Sequence, residues 1–548
     1  MSQMVETGKL ETRPMSFKPK LVLAAAFLCA SLVAGIAQPN IVFILADDLG
    51  YGDVHCLNPE RCKIATPCLD KLASQGLTLT DAHSTSAVCS PSRYALLTGR
   101  YNWRSKLQQN VLPVYAKSLI AMDRLTVARL LKQQGYDTAS FGKWHLGWNW
   151  PKQGDNIDFT QPIKDGPTAI GFDYYFGVDG PNGPPYCFIE NDHTVGIPTV
   201  PLPKEFLGHN LASKPGLAVP GWKLENILPT ITGKVCGYIT ARAKSGKPFF
   251  VYYAVPAPHT PIAPTKEWQG KSGLGSYADY VMETDWAIGQ VLDALDKSGA
   301  GSNTLVLVSS DNGVAPYVGV DAEQLKQLEA KGFNRALEEK ASFQRFKELE
   351  AMGHFSSADF RGHKSDIWDG GHRVPTFVRW PEKIPPGTTN GALVSLVDFM
   401  ATCADILQVK LPPNAAEDSV SMLSVLLNKV TTPVNEAVVF HSINGSFAIQ
   451  QGNWKLELCS GSGGWGEPKS SDKLPPVQLY DMAKDIGERT NECASHPEIV
   501  TRLTKLLEKF VADGRSTPGP QQTNDVPINL WKDKKTSAGK KPPANGGD

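Results

Sequence analysis

The chain reads as an α/β protein, a large sheet covered by helices on both faces, on three observations. Two runs, NIVFILADD (40–48) and TLVLVSSDNG (304–313), are apolar with little interruption, as strands buried on both faces must be. Both end in acidic or amide side chains. Between such runs lie segments with helical spacing and helix punctuation, and strands alternating with helices build a covered, mostly parallel sheet.

The elements follow in chain order. TPCLDKLASQG (66–76) predicts a helix with Thr66 as N-cap, Pro67 in the first position and Gly76 just past the end. RLTVARLLKQQG (124–135) repeats that form, with Val127, Leu130 and Leu131 on one face and Gly135 as terminator. Residues 152–233, rich in glycine, proline and aspartate, predict long surface loops around a cleft. PFFVYYAVPAPH (248–259) predicts a strand running into a proline-rich loop that carries His259. SYADYVMETDWAIGQVLDALDKSG (276–299) is amphipathic, with Tyr277, Val281, Ile288, Leu292 and Leu295 mostly three or four apart. Residues 321–352 are charged and helix-favouring, and predict a solvated helical pair inserted in the catalytic domain. From about 430 the pieces AVVFHS, FAIQQ and WKLELC, then the helix PEIVTRLTKLLEKFVADG (497–514), predict a smaller α+β domain with an antiparallel sheet. The expected division is a leader over 1–37, a catalytic domain over 38–428, a C-terminal subdomain over 429–514 and a disordered tail over 515–548.

Lysine plus arginine number 55 and aspartate plus glutamate number 55, so no long-range field gathers nucleic acid. The apolar run LVLAAAFLCASLVAGIA (21–37), preceded by Lys18 and Lys20, is a secretory signal. It predicts an exported protein, periplasmic, extracellular or lysosomal, with no stable membrane insertion once the signal is cleaved. Without Cys29 nine cysteines remain, an odd number that leaves at least one unpaired; the other eight either pair or stay as buried thiols.

The strand ends carry the first chemistry. Asp47 and Asp48 close one strand, Asp311 and Asn312 another, and the carboxyl ends of strands line the crevice of an open α/β sheet. Four oxygen donors without histidine or thiolate suit calcium or magnesium rather than zinc. One acidic pair alone is at least as often a loop cap. Cys89 opens CSPSRYALLTGR (89–100), where a lone cysteine in an exported chain is by default a half-cystine. Neither that reading nor a cysteine nucleophile explains why C-x-P-S-R continues into L-T-G.

Cys89, Pro91, Ser92, Arg93, Leu97, Thr98 and Gly99 match in full the signature C-x-P-S-R-x-x-x-L-T-G of the type I sulfatases of the alkaline phosphatase superfamily, which this chain resembles. A second signature is intact as GYDTASFGKWHLG (135–147), and the likeness extends from about Pro39 to about residue 495 through GHKSDIWDGGHRVP (362–375) and LYDMAKDIGERTNE (479–492). The resemblance implies an alkaline-phosphatase-like sandwich and hydrolysis of sulfate monoesters to an alcohol and inorganic sulfate. It also implies that a separate maturation enzyme reads CSPSR on the unfolded chain and oxidises Cys89 to Cα-formylglycine, leaving an even eight cysteines. One hydroxyl of the aldehyde hydrate then attacks sulfur, and loss of the second hydroxyl's proton expels sulfate as the aldehyde reforms.

By the same resemblance Asp47, Asp48, Asp311 and Asn312, with the modified Cys89, hold a calcium ion, magnesium being the substitute. Arg93 fixes the hydrate and the carboxylates. Lys143 and Lys364 bind sulfate oxygens, His145 takes the second hydroxyl's proton, and His259 binds sulfate and protonates the departing alcohol. Taken singly, such lysines and histidines are usually surface or structural residues. The substrate is a sulfated glycan or an aryl sulfate, and YCFIEND (186–192) is similar to family members acting on sugars such as N-acetylgalactosamine 6-sulfate. Two other readings use the same residues: a phosphate or phosphonate monoester hydrolase with the same nucleophile, and a non-catalytic binder of sulfated glycans that keeps the thiol.

Overall fold

The computed structural model describes residues 38–203, 213–319 and 326–532 apart from 329 and 332–334, together with residues 1, 2, 4 and 8. The leader expected over 1–37 and part of the 321–352 insertion thus fall outside the described residues. From Pro39 onward the chain forms one compact unit.

A ten-stranded sheet runs through it in the order Thr388–Asn390, Leu77–Leu79, Thr376–Arg379, Thr304–Ser310, Asn40–Asp47, Phe249–Pro258, Asp137–Lys143, Tyr174–Val178, Phe188–Glu190, His193–Val195. The five strands from Thr304–Ser310 to Tyr174–Val178 are parallel, and antiparallel neighbours flank them on both sides. Asn40–Asp47 shows why its sequence is apolar throughout. Ile41, Phe43 and Leu45 pack into one layer with Leu130, Leu131 and Met400, while Val42, Ile44 and Ala46 pack into the other with Leu72, Ile231 and Ile288. Each such side chain, fully buried, contributes about 1.5–3 kcal/mol.

The parallel strands place their carboxyl ends together. Gly142, just before Lys143, has φ +95°, and a Cβ there would lie 1.8 Å from the Ala254 carbonyl, so only glycine lets this strand end approach its neighbour.

The helix Pro67–Gln75 forms where punctuation predicts it, with Thr66 at the N-cap position, though the Thr66 side chain makes no capping hydrogen bond. The Asp285 carboxylate, on the helix Ser276–Lys297, instead accepts from Cys68 N at 3.0 Å and Leu69 N at 2.8 Å. The helix Val127–Gln133 is capped by Thr126 Oγ1, 3.1 Å from Arg129 N.

The expectation of loops over 152–233 needs correction. This stretch supplies the last of the five parallel strands, Tyr174–Val178, and the helix Ile227–Arg242. Pro229, Gly233 and Gly237 mask the helical signal, yet Ile231, Val235 and Ile239 recur every four residues and are buried, and tertiary burial outweighs weak propensity. In the insertion, Arg335–Ala351 is helical; Leu349 is buried and Arg345 Nη2 donates to Leu274 O at 2.7 Å, so this helix is packed down and not simply solvated.

A four-stranded antiparallel sheet, Val438–His441, Phe447–Gln451, Trp454–Glu457 and Gln478–Asp481, carries the helix Pro497–Ala512 through Leu503, Leu507 and Phe510. Its core includes Ala95, Tyr101 and Trp103, so the smaller sheet packs directly on the CSPSR segment. Residues 515–532, expected to be disordered, are held there too. Arg100 Nη2 pairs with Asp525 Oδ1 at 2.9 Å, and Arg104 Nη1 donates to Asn524 Oδ1 at 2.9 Å. Buried arginines need such partners, which composition alone does not reveal.

Candidate active site

The signature CSPSRYALLT forms the helix Cys89–Thr98, every residue of which is buried. Cys89 occupies the first helical position, at the positive end of the helix dipole, and Arg93 lies one turn further on. Gly99 ends the helix at φ +63°, where a Cβ would sit 2.9 Å from Ala416.

Four strand ends supply the surrounding groups: Asp47 and Asp48 after one, Asp311 and Asn312 after the next, Lys143 at the end of a third, and His259 after Phe249–Pro258. Lys143 Nζ pairs with Asp47 Oδ2 at 2.7 Å, and Lys364 Nζ lies 2.6 Å from Asp48 Oδ1 and 3.5 Å from Cys89 Sγ. Arg93 lies against Asp311 Oδ2 through Nη2 (2.7 Å) and Nε (2.9 Å), 3.4 Å from Asp47 Oδ1, and donates through Nη1 to the Lys143 carbonyl at 3.0 Å. Asn312 Nδ2 donates to Asp48 Oδ1 at 2.7 Å, and His259 Nε2 stands 3.8 Å from Asp48 Oδ2. Cys89, His145, His259 and Lys364 line one cleft above this network. The structure therefore brings together all ten residues singled out from the sequence.

Two of them hold left-handed backbone without being glycine, Asp48 at φ +67° and His145 at φ +53°. Such positions cost of order 1–3 kcal/mol and concentrate where a side chain must be aimed.

The donor set fits a hard cation. Asp47 Oδ1 and Asn312 Oδ1 are buried and accept no hydrogen bond, although burial makes unused acceptors expensive. Ligand atoms of Asp47, Asp48, Cys89 and His259 all lie within 4.8 Å of one another. Three carboxylates face three cations, so the network is neutral by itself and can admit a dication together with an anionic ester. Burial acts to raise the Asp47 carboxyl, but His259, Lys143, Arg93 and Lys364 together hold it well below the usual carboxylate range.

Burial pushes the Cys89 thiol up to about 12 even though Lys143 and Lys364 oppose the shift. An unmodified Cys89 is therefore a protonated thiol and a poor nucleophile, which argues against direct thiolate attack. Burial, Lys143 and Arg93 hold His145 well below the ordinary imidazole range, so it is neutral. Its Nε2 faces the Leu112 carbonyl at 3.0 Å and must carry the proton, which leaves the buried, unpartnered Nδ1 as a free acceptor. His259 is lowered to about 4, first by burial, and its Nδ1 donates to the Thr260 carbonyl, which leaves Nε2 facing the site.

Among the cleft residues that escaped the sequence analysis are Asp179, Tyr317 and Trp465. Asp179 follows the Tyr174–Val178 strand, so recognising that strand would have exposed the same signal that marked Asp47. Tyr317 and Trp465, with ring centroids 5.4 Å apart, meet from separate segments and carry no local signal. YCFIEND, in contrast, lies at the sheet edge around Phe188–Glu190, outside the cleft lining, and reaches it only through Tyr186, whose hydroxyl donates to Lys214 O at 2.5 Å. Among the described residues no cysteine is joined in a disulfide, so the odd–even count of cysteines carries no information about Cys89.

A second buried group, His83, Asp369 and His372, also has ligand atoms within 4.8 Å. There Lys455 and Arg373 already occupy the two Asp369 oxygens at 2.8 and 3.1 Å, and the group lies outside the cleft lining.

The Sulfatase family model matches residues 39–409, and the chain belongs to that family. It is a sulfuric ester hydrolase with an alkaline-phosphatase-like fold, and the family implies a metal ion and formylglycine. It is 34% identical to the N-acetylgalactosamine-6-O-sulfatase of Bacteroides thetaiotaomicron, over 86% of this chain and 93% of that protein. Human arylsulfatase A is 29% identical over 90% of this chain and 93% of its own length. A solved structure, described within work on glycosaminoglycan metabolism by Bacteroides thetaiotaomicron, superposes with a TM-score of 0.74 at 32% identity, covering 86% of this chain and 99% of that one. Among the described residues no helix is long and apolar enough to cross a membrane.

Proposed function

We propose that this sulfatase is exported and cleaves the sulfate ester of a sulfated sugar, with Cys89 matured to Cα-formylglycine and calcium held by Asp47, Asp48, Asp311, Asn312 and the modified residue 89. The observation that carries the reading is the placement of Cys89 at a helix N-terminus, 3.5 Å from Lys364 Nζ, above oxygens that lack hydrogen-bond partners. The relative named for N-acetylgalactosamine 6-O-sulfate supports a sugar as leaving group. Maturation precedes folding, because residues 89–98 are wholly buried in the folded chain and no enzyme can reach them there.

When bound, the cation lowers the pKa of a hydroxyl on residue 89 and offsets the ester's charge. Lys143 and Lys364 would neutralise sulfate oxygens, and their present partners, Asp47 and Asp48, are among the residues that would hold the cation. Arg93, braced on Asp311 and the Lys143 carbonyl, holds the carboxylates in place. His145 removes a hydroxyl proton through its free Nδ1. His259 is neutral in the resting site; the anionic ester favours its protonation, and Nε2 delivers that proton to the departing alcohol.

The test joins two measurements on protein from its native host. Mass spectrometry of the peptide carrying residue 89 must show an aldehyde, and the same sample must release sulfate from N-acetylgalactosamine 6-sulfate faster than phosphate from the matching phosphate ester. An intact thiol in active protein, or preference for the phosphate, defeats the proposal.

A further inference from the structure

Asp179 stands apart from the catalytic network. It is only 8% exposed, lines the cleft shared by Cys89, His145 and His259, and among the described residues forms no ion pair. Asp47, Asp48 and Asp311, by contrast, each face a cation. Two contacts fix its position. The Asp179 carbonyl accepts from His145 N at 2.9 Å, and its Oδ1 accepts from Trp148 Nε1 at 3.0 Å.

The neighbouring wall is close. A Cβ on Gly183 would meet Val114 Cγ1 at 2.6 Å, so the Asp179–Gly183 turn and the Val111–Val114 segment bound a narrow slot. A carboxylate so placed, without a cation, asks for a neutral donor from whatever enters. It also repels a second sulfate at that point. Burial raises its pKa to about 6, against the pull of Trp148, Lys143 and the His145 N–H.

Building on the sulfatase reading above, we infer that Asp179 accepts a hydrogen bond from a hydroxyl of the leaving group beside the sulfate ester, which selects sulfated sugars with that hydroxyl free. A phenol sulfate offers no such donor. The reaction at sulfur is the same for both, so Asp179 acts on choice of substrate and not on the chemistry.

The experiment compares kcat/KM for N-acetylgalactosamine 6-sulfate, its 3-deoxy and 4-deoxy analogues, and 4-nitrophenyl sulfate, in wild type, Asp179→Asn and Asp179→Ala. In the wild type one deoxy analogue is expected to lose about 10- to 100-fold, the range set by one hydrogen bond to a charged acceptor. In Asp179→Ala that penalty shrinks to near unity, and the sugar-to-aryl ratio falls by the same factor. Asp179→Asn keeps the side-chain shape and the Trp148 contact and loses part of the preference, so a decision remains if the alanine variant fails to fold. A penalty that persists in the variants, or an equal fall on every substrate, overturns the inference and leaves Asp179 a prop for His145. A wild type that turns over none of these esters sinks the sulfatase reading for this substrate class instead.

Discussion

Two buried charge clusters resemble each other in composition, and each keeps buried oxygens without hydrogen bonds, but only one of them faces the cleft. In the cleft, three aspartates face Lys143, Lys364 and Arg93, yet Asp47 and Asn312 keep buried oxygens without hydrogen bonds. Between the two sheets, Lys455 contacts Asp369 at 2.8 Å and Glu488 at 2.6 Å, His83 Nδ1 meets His372 Nδ1 at 2.9 Å, and Arg373 closes on Asp369 at 3.1 Å. Burial, then Glu488, raises Glu457 well above the carboxylate range, so it sits there as a neutral acid beside Lys455. One cluster opens on the cleft, whereas in the other the unpartnered oxygens of Glu457 are walled in by protein. An open network is built to receive something; a closed one fixes the joint between two layers.

That contrast predicts opposite phenotypes. Cys89→Ala has the largest effect: turnover falls by about 10⁴-fold or more, as for loss of any covalent nucleophile, while the thermal midpoint barely moves. Chelation comes next. Removing the cation with EGTA lowers activity by about 10²- to 10³-fold, calcium restores it, and unfolding shows the lost linkage, about 2.7 kcal/mol at a cation level 100 times its dissociation constant.

Lys455→Met reverses the pattern. It leaves Glu488 without its cation and Asp369 with Arg373 alone, and costs about 3–5 kcal/mol by denaturant unfolding, while turnover per folded molecule stays within a few-fold. If Lys455→Met instead abolished turnover in fully folded protein, the division between the clusters would fail.

The smallest effect is a slope. Burial, then Lys455, lowers the His372 pKa well below the ordinary imidazole value of 6.5, so the folded state binds fewer protons than the unfolded one below that pH. Its contribution to stability is present above about pH 6.5 and is lost on acidification, by up to about 1.4 kcal/mol per pH unit. Glu457 acts with the opposite sign, so the difference between wild-type and His372→Gln stability curves isolates the imidazole.

Much of the open cluster was legible in the sequence because it is built from residues at strand ends and from two contiguous signatures. The acidic ends of two strands fall beside one another once those strands pair in parallel, and CSPSR and GKWHLG each keep several groups within a few positions. The closed cluster was not legible. His83, His372, Lys455 and Glu488 come from four segments, and nothing near any one of them names the others. Asp179 was missed for a third reason: the short strand before it, YYFGV, sits among glycines and prolines that read as loop. Its burial comes from pairing with Ala139–Lys143, a contact no local pattern contains. Residues 515–532 were misread likewise, since polarity suggested disorder while their partners, Arg100 and Arg104, lie some four hundred residues upstream; 533–548 lie outside the described residues.

Those two arginines impose an order on biosynthesis. Each stands just beyond the CSPSR helix, and Arg100 is tied to Asp525 while Arg104 is tied to Asn524 and to the Phe510 carbonyl at 3.0 Å. A nascent chain cannot close these ties until the segment from Phe510 to Asp525, some four hundred residues downstream, has emerged. Translation at about 5–20 residues per second stretches that wait to tens of seconds. Until then the helix that begins at residue 89 lacks these two anchors.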